Sequence, residues 1–185
     1  MNKILTVLLV LFTSIAISAQ TKPINTSKSK ITWIGKKVTG QHEGIIKLKE
    51  GALVFKNKKI VGGNFIADMT TLINTDQTGK DKAKLEGHLK STDFFDVDNH
   101  KTSKLVFKSI AEKKPNSYTI TADLTIKGKT KPVKFDMVVK GKTASARFTI
   151  DRTKYGIQYG SGSFFDDLGD RTIYDEFDLD VLLFF

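Results

Sequence analysis

The sequence has no cysteine, which excludes disulfides, thiol nucleophiles and lipid attachment through sulfur. It has only three histidines, His42, His88 and His100, each in a different loop or helix region, and it contains no G-x-S-x-G elbow. Nucleophilic and acid–base catalysis therefore lack their usual parts, which argues against an enzyme. Acids are scarce beside bases, 20 against 30, for a formal net charge of +10. The lysines are scattered singly and in pairs, at apparent turns and alternate strand positions, as on a solvated surface. In a secreted chain this speaks against nucleic acid as a partner. The acids gather late, in "FFDDLGDRTIYDEFDLD".

The N-terminus sets the compartment. Lys3 precedes an apolar run from Ile4 to Ile17, and "ISAQ" places small Ala19 ahead of a plausible cut, the pattern of a secretory signal peptide. The run is too short to span a bilayer comfortably, and polar "TKPINTSKSK" follows it. The expected organisation is a cleaved leader at 1–19, a flexible segment at 20–28 and one domain at 29–185, exported to the periplasm or beyond.

Alternation with a period of two gives the fold class. In "SYTITADLTI", Tyr118, Ile120, Ala122, Leu124 and Ile126 oppose Thr119, Thr121, Asp123 and Thr125. Val133, Phe135, Met137 and Val139 form a second run after the turn "KGKTKP", and Ala144, Ala146, Phe148 and Ile150 a third. Weaker runs begin at Ile31, Ile45, Leu53, Val61, Leu105 and Phe177, with a bulge expected at Gly62–Gly63. About eight short strands predict an all-β antiparallel barrel or sandwich, and Lys80 to Lys90 is the one helical candidate. Large aromatics and small alanines (Ala67, Ala122, Ala144, Ala146) share the inward positions, which favours a cavity. The pattern alone leaves a fully packed core equally open.

Four stretches carry a family resemblance: "SKITWIGKKVTGQHEGIIKLKEGAL", "GHLKSTDFFDV", "LVFKS" and "LTIKGKTKPVKFDM". In order and spacing they resemble the YceI family of bacterial lipid-binding proteins, from about Ser29 to the C-terminus. The loop "DNHKTSK" lacks the proline the family often places after "FFDV", and the end "DVLLFF" is unusually apolar. The resemblance implies an extended, lipocalin-like, eight-stranded antiparallel barrel with a short helix, periplasmic and non-catalytic, holding a polyprenyl phosphate, isoprenoid quinone or fatty acyl chain and needing no other cofactor.

The candidate lipid-contacting wall follows from the inward positions: Trp33, Phe55, Phe65, Ala67, Met69, Phe107, Ile120, Leu124, Phe135, Met137, Phe148, Ile150, Phe177 and Leu179, with Phe94 and Phe164 from loops. His42, Arg152 and Tyr155 are candidates for a polar head group, Arg152 through paired donors. No metal site is expected, because "DVDNHK" lacks the glycine and glutamate of a calcium loop. "YGSGS" has no strand-to-helix context and reads as a turn or gate. "GHLKSTDFFDV" reads as a helix and aromatic plug over the barrel, with Phe94 touching ligand, His88 structural, and Ser91 or Asp93 capping. Expected contacts are transient, with a membrane surface or, through Leu182 and Phe184, with a second copy. Two other readings compete: a small outer-membrane barrel, favoured by the strand number and leader, and a secreted interaction module with a dry core.

Overall fold

The computed structural model describes residues 18–185, so nearly all of the expected leader lies outside the described residues. Nine strands and one helix follow in order: β1 (Gln20–Pro23), β2 (Lys30–Lys37), β3 (Gly40–Lys56), β4 (Lys59–Asn74), α1 (Gly79–Lys90), β5 (Thr102–Lys114), β6 (Ser117–Ile126), β7 (Lys129–Lys140), β8 (Thr143–Asp151) and β9 (Ile173–Phe184). The sheet runs β3-β2-β9-β8-β7-β6-β5-β4 and closes by pairing β4 with β3, all antiparallel. It is an eight-stranded barrel with one short helix.

The β6, β7 and β8 runs fold as the alternation requires, and β6 alternates between half-buried and buried along its whole length. The turn between β6 and β7 is shorter than "KGKTKP" suggests. Only Lys127 and Gly128 form it, both with positive φ (48° and 71°), the two-residue geometry that matches strand twist. The expected strands at Ile45 and Leu53 are one, β3. A register shift between Leu48 and Glu50 leaves Lys49 as an extra residue, so the alternation changes phase in mid-strand and imitates a strand end. Opposite the expected Gly62–Gly63 bulge, a second shift between Val54 and Phe55 leaves Val61 without a partner.

The segment 20–28, expected to be flexible, is tied down. β1 pairs with Ala52–Phe55, beside the stretch of β3 that takes β2. Asn25 then donates its backbone N–H to Phe184 O (2.7 Å), and Ser29 Oγ accepts from Phe184 N (2.9 Å).

Outside the barrel stand charged and hydroxylic side chains, among them Thr121, Asp123, Lys134, Asp136 and Arg147. That is the inverse of the apolar outer band a membrane-spanning barrel needs. One end of the interior is filled by Leu53, Phe55, Ile60, Tyr118 and Ile120, with Phe185 packed on Phe55 at 5.4 Å between ring centroids.

Gly44 sets a close approach near the other end. A Cβ there would run into the Ile73 carbonyl oxygen and lie 2.5 Å from the Trp33 ring. Gly44→Ala is expected to cost about 3 kcal/mol of stability in urea unfolding, as overpacking does, with a shifted Trp33 emission marking the displaced indole.

Candidate functional site

The barrel encloses a cavity of about 610 Å³ that opens at the end carrying α1. This lies in the size range of ligand pockets and disposes of the dry-core alternative. The inner wall is aromatic: Phe65 and Phe107 lie 5.5 Å apart, Phe107 and Phe135 6.1 Å apart, and Phe135 stacks on Phe148 at 4.4 Å with 16° between planes. These four rings, from β4, β5, β7 and β8, form a belt across the cavity. On the same strands β4 and β8, Ala67, Ala144 and Ala146 keep space open beside the rings, as their small size predicts.

At the mouth, α1 buries no residue completely, yet turns Leu85, His88 and Leu89 toward the cavity. Glu86 Oε1 accepts from Asn74 N (2.8 Å), tying the helix to the end of β4. Ser91 caps the C-terminus of α1, with its N–H on Gly87 O and His88 O and its hydroxyl on His88 O (2.8 Å). Asp93 does not cap; its carboxylate lies 3.8 Å from His88 Nε2. The His88 ring meets Phe94 edge-on at 5.0 Å and Tyr159 at 4.4 Å. Phe94, buried, and Phe95 complete this outer tier, Phe95 against Phe177 at 6.4 Å.

Of the candidate wall, Trp33, Phe65, Ala67, Met69, Phe94, Phe107, Leu124, Phe135, Met137, Phe148, Phe177 and Leu179 line the cavity. Four candidates do not. Phe55 and Ile120 point inward but belong to the plug at the closed end. Ile150 packs under the mouth with Tyr155 and Ile157, and Phe164 is half exposed on the loop before β9. The alternation missed Leu72, Ile46 and Leu48, which also line the wall from β4 and β3. They sit beside the register shifts, where the period-two signal breaks.

The head-group candidates separate. His42 lines the mouth and binds Asp76 Oδ2 through Nδ1 (2.8 Å). Burial pushes the Asp76 carboxyl up, but the His42 ring, the Glu43 amide and Asn74 together hold it below the ordinary carboxylate value. Arg152, only 4% exposed, also lines the mouth. Its guanidinium donates to the carbonyls of Tyr174 (3.1 Å), Ile157 (2.9 Å) and Ile173 (2.9 Å), with Asp175 at 3.7 Å and the Phe94 ring beneath it. Burial pushes Arg152 down from its ordinary value while Asp175 and Asp151 hold it up; an arginine remains a cation throughout. Its donors are largely spent in stapling β8 to the start of β9. Tyr155 is buried in the packing below the mouth and does not line the cavity. "YGSGS" is a hydrogen-bonded turn around buried Ser161, and Asp96, Asn99 and His100 of the "DVDNHK" loop bind one another.

The YceI-like domain model matches residues 23–185, well over half of the chain. The chain belongs to the YceI-like family. A UPF0312 protein of Shewanella denitrificans is 38% identical over 61 residues, a stretch covering 33% of this chain and only 32% of that protein. Among solved structures, Burkholderia cenocepacia BcnA superposes with a TM-score of 0.69 at 22% identity, covering 86% of this chain and 98% of that one. A polyisoprenoid binding domain from Saccharophagus degradans gives 0.61 at 12% identity, covering 91% and 97%. At such identities the likeness carries the barrel fold, which the YceI-like chain here shares with both.

Burial raises the Tyr155 phenol from its ordinary value of 10.0 to about 12, with Asp151 adding to the shift. Between these values the unfolded chain loses that proton and the native chain keeps it, so stability is expected to fall as pH rises from about 10 to about 12. Tyr155→Phe should flatten this fall in urea titrations across that window. Ile120→Ala, in the plug, should cost about 2–5 kcal/mol of stability in urea unfolding.

Proposed function

We propose that the protein is a non-catalytic carrier that holds one long-chain lipid, isoprenoid or acyl, tail-first in the barrel, in the periplasmic space reached through its leader. The observation that carries this reading is the shape of the cavity: an apolar, aromatic-belted chamber of about 610 Å³, plugged at one end and polar only at its mouth. The YceI-like assignment and the polyisoprenoid-binding neighbour from S. degradans support the same ligand class.

Each buried carbon contributes about 0.8 kcal/mol, so such a wall reads length and bulk and discriminates poorly between related chains. Polyprenyl phosphates, isoprenoid quinones and fatty acyl chains all satisfy it. The head group rests at the mouth, where Lys37, His42 and Lys84 border an annex of about 270 Å³ beside α1. Phe94 and His88 cover the upper chain, Phe94 as the contact and His88 as its support. Trp33, whose indole N–H is buried without an acceptor among the described residues, offers a donor to a ligand oxygen.

Protein purified from its native host is expected to release a prenyl or acyl species on organic extraction, detected by mass spectrometry; a clean extract from protein that also refuses reloading would end the proposal. Ala67→Phe, which fills the chamber beside the ring belt on β4, should lower retention of a loaded chain by tenfold or more with the barrel still folded by circular dichroism. Phe94→Ala should weaken retention, and His88→Gln should leave it nearly intact.

A further inference from the structure

The large apolar side chains that reach solvent are not spread evenly. Among the described residues eight are strongly exposed, and five of them, Val38, Tyr159, Phe164, Phe165 and Tyr174, stand about 50% exposed around the cavity mouth. The other three lie on outer strand faces, Val61 on β4, and Val138 of β7 and Leu182 of β9 in one row on either side of Ser145.

Backbone hydrogen bonds hold the five together. Val38 N donates to Thr172 O (3.1 Å), Ile173 N to Gly160 O (2.8 Å), and the amides of Phe164 and Phe165 both to Ser161 O (3.1 and 3.0 Å). Ser163 Oγ donates to Asp175 Oδ2 (2.6 Å), fixing the loop against β9. Tyr159 and Tyr174 belong to both surfaces, since they line the cavity as well. The apolar rim is therefore continuous with the chamber it surrounds.

Rings and charge together indicate the occupant. Lys37, Lys84 and Arg171 border the same mouth and form no ion pair among the described residues, with the acids Asp170 and Glu176 beside them, in a chain of net charge +10. Aromatic side chains beside unpaired cations match the interfacial layer of a bilayer, where rings sit at head-group depth and lysines and arginines meet phosphates. Asp166 and Asp167 follow the phenylalanine pair directly, so this loop meets the surface through its rings rather than its charge.

The geometry points to a membrane-docking face: Val38, Tyr159, Phe164, Phe165 and Tyr174 seat the mouth on the surface of an anionic bilayer, so that the cavity opens into the lipid layer. The inference rests on the carrier reading, because a bilayer is chosen as the source of an apolar cargo that water does not dissolve. A second copy of the chain could cover the same rim, and the test separates the two.

The experiment is flotation of the mature chain with vesicles of phosphatidylcholine containing phosphatidylglycerol. It compares the wild type, Phe164→Ser/Phe165→Ser and a control with equal apolar loss elsewhere, Val138→Ser/Leu182→Ser, with binding of a fluorescent acyl probe measured in vesicle-free solution. The wild type and the control are expected to float, and the loop variant to lose about tenfold or more of its partitioning, while all three bind the probe alike. A wild type that stays in solution, or a loop variant that floats as well, overturns the docking face and leaves the carrier reading standing. A dimeric wild type made monomeric by the loop variant, seen by light scattering, assigns the rim to a second copy and overturns it too. A wild type that fails to bind the probe overturns the carrier reading itself.

Discussion

Closure of the sheet between β3 and β4 is the constraint on which the rest depends. An open sheet of these strands would leave two rows of unpaired amides and carbonyls, and its inward face would collapse onto itself or recruit another chain. Closure satisfies those groups and fixes the circumference, and the circumference decides how much room the inward side chains must fill. With eight strands the interior is near the limit that side chains can occupy alone. Phe55, Tyr118 and Ile120 complete the filling at one end, and Ala67 and Ala146, on the strands that carry the ring belt, leave it incomplete beside the belt. Plug and chamber are thus two outcomes of one inward alternation, separated by side-chain volume.

That relation explains what the sequence disclosed and what it concealed. The antiparallel sheet was legible because β6, β7 and β8 alternate without interruption; the alternation left barrel or sandwich open, and the family resemblance pointed to the barrel. The length of β3 was hidden by the phase change at Lys49, which no local pattern distinguishes from a turn. Phe55 and Ile120 alternate inward as faithfully as Phe65 and Phe135; only the distance along the barrel, set by strand stagger, tells plug from wall. Phe164 was placed in the wall as a loop aromatic, but its amide is held in a turn on Ser161 that leaves the ring half exposed.

Polar groups were harder to place than apolar ones, because one residue type serves two ends. Arg152 is buried at the mouth, but most of its hydrogen-bonding capacity goes to three carbonyls of the chain itself, which makes it an organiser of the entrance. His42 is oriented by Asp76, and Asp76 in turn by the Glu43 amide and Asn74, so the hairpin between β2 and β3 is fastened to the segment entering α1. Neither linkage has a signature in spacing, since each joins residues far apart in the chain.

On the carrier proposal, a chamber with one sealed end would admit and release its lipid chain by the same route. Withdrawal would then proceed carbon by carbon, and each carbon that leaves the aromatic belt would expose more apolar surface before the last is free. The barrier to escape into water therefore climbs with chain length, while the barrier to sliding into another apolar phase does not. A vessel of this shape behaves as a sheath: the longer its contents, the more completely their exchange depends on contact with a receiving surface.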